Sequence, residues 1–406
     1  LNCITLNYGA ADPLILECAN DALVADCRGP EGVKGESAHE AVAAALVTPP
    51  EGPPLASQVV PGDRVVIAQA GSVPQAAAVV AAVAEQLRAA GVQPEDMALL
   101  QPSGAGTAAG GCGSGGPDGP VRPVAFDPAV DAETAYLAAD ESGRPLYLAR
   151  ALVDADVVVA VGSWGFDASL GGRSLDGELW PTFARLACRH DVARSLARKG
   201  RLALPEWRES VREITWQLGV CASLRIVAGR DGSVGAAAFG LPEAAARLAR
   251  RRAVGWSPQV EGSAALTIVT LAEPRGGFAA VTRAVAAAAR VTRAGGTICV
   301  ASRLNEPPGI VFSRWRQGAP LVPLVREAVG TGDPTMIAEA VQTRLFAHAL
   351  GDRRIVLLSD LGEGVVEDLE FGHAATPEVI ERLAHRSDRL IVLREADLML
   401  PRIMEP

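Results

Sequence analysis

Twice along the chain, short apolar runs alternate with longer stretches of helical period. That alternation constrains the fold more than any other feature. A run buried on both faces, then an amphipathic helix, then another buried run is the unit of a parallel sheet. The apolar run 64–68, the helical stretch 73–90 ending at Gly91, and the run 97–100 make one such unit. Val157-Val158-Val159-Ala160-Val161-Gly162 is a further buried strand. Residues 181–196 and 205–218 read as helices with proline near the first turn. Residues 224–240 read as a hairpin around Arg230-Asp231-Gly232, followed by a helix over 241–253. The second set has strands expected at 266–271, 296–301, 355–359 and 390–393, with helices at 278–291, 334–350 and 377–384. Near the start, 3–18 reads as two short strands around a turn, and 39–46 as a short helix.

A chain of 406 residues exceeds the usual size of one hydrophobic core. Gly, Pro and Ser cluster at 255–262, which places a boundary between domains 1–258 and 259–406. The expected class is α/β: two α/β domains with mainly parallel sheets and a cleft between them, a frequent place for a small-molecule ligand. The net charge of −9 and the lack of a basic tract argue against nucleic acid or an anionic membrane as partner. No apolar run approaches the roughly 20 residues that span a bilayer, and no signal peptide is visible. The seven cysteines are scattered and form no CxxC pair, which points to reduced thiols in the cytoplasm. The sequence leaves the oligomeric state open. Residues 103–119 are almost entirely Gly, Ala, Ser, Thr and Pro, and read as a loop, with a phosphate cradle as the alternative.

The loop after the strand at 157–162 carries the most chemistry. It runs Ser163-Trp164-Gly165-Phe166-Asp167-Ala168-Ser169-Leu170-Gly171-Gly172-Arg173-Ser174. Loops at the carboxyl ends of parallel strands are where α/β sheets place ligands. A double glycine lets backbone N–H groups approach an anion, and Arg173 supplies charge. The alternative is a tight turn with a surface arginine. Asp167, Asp176 and Glu178 read as solvated loop carboxylates, with a role as alternative bases left open. Trp164 and Trp180 read as packing residues.

This segment resembles that of the nickel-pincer lactate racemase family, in which a strand leads to Ser-His-Phe-Phe-Ala-Gly-Phe-Ser-Gly-Gly-Arg-Lys-Ser. Collinear likeness extends to residues 64–87, 225–244, 266–300 and 345–361. The resemblance implies a pyridinium mononucleotide that holds nickel in a sulfur–carbon–sulfur pincer and acts on 2-hydroxy acids. In that family a lysine after Gly-Gly-Arg anchors the cofactor as a thioamide, and a later histidine completes the nickel coordination. Two further histidines serve as bases on opposite faces of the substrate. Imidazole suits that role because its pKa near ~6.5 lets it take and return a proton at neutral pH.

Matched residue by residue, the family's chemistry is mostly gone. The anchor position is Ser174, whose hydroxyl cannot form the thioamide, so any such nucleotide would be held noncovalently. The nickel-ligand position falls on His190. One base position is Trp164. The place of the other, within 101–107, holds no histidine. The first loop reads Gln69-Ala70-Gly71-Ser72-Val73-Pro74, which keeps Ser72 as a cofactor-binding candidate and lacks the family's histidine and arginine. In the second domain Arg283 stands where the family has lysine. The cofactor-binding candidates are therefore Gly171, Gly172, Arg173, Ser174, Ser72 and Arg283, with His190 as the metal candidate and no catalytic residue assigned. His39, His348, His373 and His385 read as surface or interface residues. Lys34 and Lys199 are the only lysines, and the spacing of Lys199 does not make it a replacement anchor. Two functions stay open: a 2-hydroxyacid racemase or epimerase, and a non-catalytic paralogue that binds a nucleotide or small organic acid between the domains. A dinucleotide-dependent oxidoreductase is disfavoured by the lack of GxGxxG.

Overall fold

The structure is a computed structural model and describes residues 2–103, 121–140 and 143–404. The glycine-rich loop expected at 103–119 lies, beyond Ser103, outside the described residues.

The chain builds two six-stranded sheets. In the first, the spatial order is Val234–Gly240, Ala222–Ala228, Val157–Ser163, Val65–Ala70, Met97–Pro102, Arg122–Phe126. Its one antiparallel pairing is the hairpin of Ala222–Ala228 with Val234–Gly240; the other neighbours are parallel. Strand period explains the burial. Val65, Ile67, Val159 and Val161 face one apolar cluster with helices Gly35–Val47 and Ala76–Ala89. Val66, Ala68, Val158 and Ala160 face another, against helices Leu186–Lys199 and Leu204–Gln217. With helices on both faces, every residue of Val65–Ala70 is buried.

The second sheet is parallel throughout, in the order Gly372–His373, Arg354–Leu358, Thr292–Ala301, Ala264–Thr270, Leu390–Leu393, Leu23–Cys27. Its last strand comes from the opposite end of the sequence. The preceding hairpin, Asn2–Leu6 with Leu14–Cys18, packs its apolar side on this sheet beside helix Pro377–Arg386. The first 27 residues therefore sit with the second sheet, whereas the division at 258 groups them with the first. A pairing between strands so far apart leaves no local mark in the sequence. The hairpin Thr134–Ala139 with Pro145–Ala149 and the helices Ile310–Arg316 and Leu321–Thr331 were also unanticipated.

The domains meet through apolar surface. Helix Leu186–Lys199 packs on helix Pro334–Leu350, and Ala197 joins a cluster with Val311, Val325 and Ala328. Trp164, Ala168 and Val227 of the first domain share a cluster with Leu271, Ala396 and Met399 of the second. No helix among the described residues is long and apolar enough to cross a membrane.

Candidate functional site

The loops at the carboxyl ends of the first sheet's parallel strands converge. The Ser163 hydroxyl donates to the Ser72 carbonyl at 2.5 Å, and Gln101 Nε2 donates to Gln69 Oε1 at 3.1 Å. Ser72 thus enters through its backbone, and the residue is exposed. The segment 176–178 crosses the end of strand Val157–Ser163. Two glycines make the crossing: a Cβ on Gly162 would lie 2.2 Å from the Gly177 carbonyl oxygen, and Gly177 has φ +83°. No other residue type allows both the close approach and the left-handed backbone.

The crossing carries Glu178 inward, where it is 3% exposed. Its carboxylate accepts hydrogen bonds from Arg173 and, at 2.6 Å, from Arg225. Arg225 lies in strand Ala222–Ala228, in register with Gly162, and also donates to the Gly177 carbonyl at 2.5 Å. Glu178 is therefore no solvated loop carboxylate. A buried guanidinium in the strand requires a buried carboxylate as partner. Arg225 was missed, although a charged residue inside an apolar strand is a visible signal of such a pair.

The Gly171-Gly172 turn is fixed from both sides. Gly171 has φ +79°. Asp167 is buried and accepts from the backbone N–H groups of Ser169 (2.8 Å) and Leu170 (3.1 Å) and from the Ser169 hydroxyl. It is consumed as a turn cap instead of being solvated. Arg201 Nε donates to the Ser169 carbonyl at 2.8 Å, and its Nη2 to Ala168 at 3.0 Å. A Cβ on Gly171 would lie 3.4 Å from Arg201 Nη1, and one on Gly172 3.9 Å from Arg208 Nη2. Arg208 is exposed on helix Leu204–Gln217 and makes no ion pair among the described residues.

Arg173, Arg201, Arg208 and Arg225 thus gather around one turn, against the buried carboxylates of Glu178, shared by Arg173 and Arg225, and Asp167, spent on the turn itself. Burial, with Arg225 and Arg208 nearby, pushes the Arg173 guanidinium down to about 9. Burial alone pushes Arg225 down to about 10. Both remain charged at neutral pH. The turn is locally cationic in a chain whose net charge is −9.

The other candidates fall around this centre. Ser174 Oγ accepts from the Asp176 N–H at 3.1 Å, and its own N–H donates to Gly165 at 2.9 Å. Asp176 itself is exposed. Trp164 is 4% exposed, meets Phe166 edge-on at 5.3 Å, and has a buried indole N–H without an acceptor. His190 is half-buried on helix Leu186–Lys199, its Nε2 buried and without a hydrogen-bond partner. Arg283, on helix Phe278–Ala289, stands 3.9 Å from the buried Asp397. The turn Ala396–Leu398 that holds Asp397 abuts Phe166–Asp167, so Arg283 reaches the loop through one intervening element. Lys199 is paired with Glu206 at 2.9 Å. His39 pairs with Glu85 at 3.0 Å.

Glu395 was not foreseen as a site residue. It follows the strand Leu390–Leu393, and its carboxylate accepts from the Asp231 N–H at 2.9 Å, across the domain boundary. Burial, reinforced by Asp231 and Asp397, pushes its carboxyl up to about 7.

This two-domain α/β layering is shared with the lactate racemase fold. The chain is similar to the lactate racemase apoprotein from Thermoanaerobacterium thermosaccharolyticum, with a TM-score of 0.72 and 14% identity over 99% of this chain and 100% of that one. It is also similar to a protein from Thermotoga maritima, with a TM-score of 0.59 and 12% identity over 93% of this chain and 100% of that one. No protein-family profile and no curated protein matches the chain. At these identities the likeness establishes the fold.

The residues fit a nickel-pincer nucleotide only at one point. His190 offers a free nitrogen. Ser174 provides no amine for the thioamide, Trp164 has no exchangeable basic nitrogen, and no group of three or more His, Cys, Asp or Glu converges among the described residues. This donor set does not match the one the family uses, and no chemical step is derived through that cofactor.

Proposed function

We propose that this lactate racemase-like protein binds a small organic acid or the phosphate of a nucleotide at the Gly171-Gly172 turn, without the racemase reaction. The observation that carries this reading is the excess of guanidinium over carboxylate around a glycine turn. An anion there would receive a charge-assisted hydrogen bond from Arg208, while the N–H groups of Ser169, Leu170 and Gly171 are spent inside the turn. Arg173 and Arg225 are held by Glu178 and add long-range attraction. Arg201 holds the turn in shape. The buried Trp164 occupies the family's base position, which removes proton exchange from one face of any bound acid.

The test is calorimetric titration with inorganic phosphate, AMP and L-lactate. Saturable binding of at least one, weakened about tenfold or more by Arg208→Ala, is expected, because one charged hydrogen bond contributes about 1.5–3 kcal/mol. Binding by none of them would reject the reading.

A second reading, a noncovalent nickel-pincer isomerase, is favoured by the unpartnered His190 Nε2. It predicts stoichiometric nickel and unchanged intact mass after co-production with the enzymes that build the cofactor. His190→Ala would then remove the metal while the chain stays folded.

A further inference from the structure

A second concavity lies away from the Gly171-Gly172 turn, between helices Leu186–Lys199 and Leu204–Gln217 and the hairpin strand Pro145–Ala149. Its volume is about 410 Å³, within the usual range for small-molecule sites. The two helices face each other with matched periodicity. Cys188, Val192 and Ser195 lie along one, and Trp207, Ser210 and Ile214 along the other. One small serine in each stripe leaves the gap. Leu146 and Trp180 complete the apolar lining.

Two properties define what this cleft would take. The first is its charge. Among the described residues the charged lining comprises Arg144, Arg194, Arg198 and Lys199 against Asp140, Asp191, Glu206 and Glu213, which is four against four. Three of the cations are already matched: Arg144 to Asp140 at 2.7 Å, Arg194 to Asp191 at 3.0 Å and Lys199 to Glu206 at 2.9 Å. A net-neutral lining does not compensate the desolvation of a charged ligand, so an uncharged one is preferred. The second is its donors. Trp180 and Trp207 both line the cleft, and both indole N–H groups are buried without an acceptor. Trp180 is only 5% exposed. Buried donors are ordinarily paired, so two unpaired ones in one lining point to an acceptor from outside the chain.

We propose that this cleft is a binding site for an uncharged, planar heteroaromatic molecule bearing a carbonyl or ring-nitrogen acceptor. The ring stacks against the indoles, and the acceptor takes an indole N–H after a small shift of the side chain. The Ser195 and Ser210 positions set the width of the slot. The site is independent of the anion reading above, since it shares no residue with the Gly171-Gly172 turn.

The probe is Nile red, which is neutral and planar, carries a carbonyl acceptor, and changes its emission when it leaves water. The full chain should bind it saturably at one site, with quenching of tryptophan fluorescence. Ser210→Trp and Ser195→Trp fill the slot from opposite walls, and each should abolish saturable binding; either one that retains the native circular dichroism suffices. Trp207→Phe keeps an aromatic face, though a smaller one, and removes the N–H, and should weaken binding about tenfold. Absence of saturable binding to the unmodified chain overturns the proposal. So does binding that survives a folded slot-filling variant, which would place the dye on exposed surface such as Trp216. Unchanged affinity in Trp207→Phe would overturn the role of that donor. Phosphate titration of the same variants should be unaffected, which separates failure here from failure at the arginine turn.

Discussion

The carboxyl ends of the two sheets differ in how their charges are matched. At the second sheet Arg394 and Arg28 share Asp26, at 2.8 and 2.9 Å, Arg303 meets Asp360 at 2.8 Å, and Arg283 stands 3.9 Å from Asp397. At the first sheet Glu178 is shared by two buried or part-buried arginines, and Arg208 stands beside them unpaired. Both sheets are mainly parallel, so topology offers a ligand either edge. In the reading proposed above the first is used, because an arginine cluster with low-dielectric walls and the unpaired Arg208 beside it attracts an anion.

That contrast can be broken or sharpened by substitution. Glu178→Gln should cause the largest loss, about 3–5 kcal/mol, because it leaves Arg225 charged and buried without a counterion. The matching change in the second sheet, Asp360→Asn, should cost less than about 1 kcal/mol, since that pair is about one-third exposed on both sides. Urea denaturation of both variants would decide; equal losses would erase the distinction. Gly162→Ala comes next, at about 1–3 kcal/mol or more, because the new methyl must push 176–178 off the strand end. Its phosphate affinity should fall as well, since Glu178 and the turn move together. Arg208→Ala should leave stability within about 0.5 kcal/mol while weakening anion binding, which would show that its charge is surplus to the fold.

The remaining test is a pH slope. The Glu395 carboxyl rises from 4.5 to about 7 in the folded chain. Between those values the folded state holds a proton that the unfolded state has released. Its contribution is therefore greatest below 4.5 and is lost as pH rises toward 7. Thermal melts of the unmodified chain and of Glu395→Gln across that range should diverge, with the variant lacking this part of the slope. Parallel curves would rule out a buried, proton-holding Glu395.

How much of this was legible follows from the range of each interaction. The strand at Val157–Ser163, the hairpin around Arg230-Asp231-Gly232 and the helix Pro334–Leu350 are written in local period and turn chemistry, and they were expected close to where they lie. The loop 163–174 was found from its place after a buried strand. Its partners were not, because Arg201 and Arg208 come from later elements and reach it only through the packing of two helices. Glu178 was misjudged for the same reason. A carboxylate in a glycine-containing loop looks solvated until the Gly162–Gly177 crossing is known. Trp164 read as a packing residue, and it packs.

The strand Leu23–Cys27 has a consequence for the order of events during synthesis. Its neighbour in the sheet is Leu390–Leu393, which is synthesised long after it. Everything the first sheet needs lies between them, so that unit can close while the early strand still waits. The waiting strand is short and carries the charge of Asp26, which makes it a poor template for premature pairing. The second sheet is thus completed as a clasp, when a strand made before the first sheet meets one made after it.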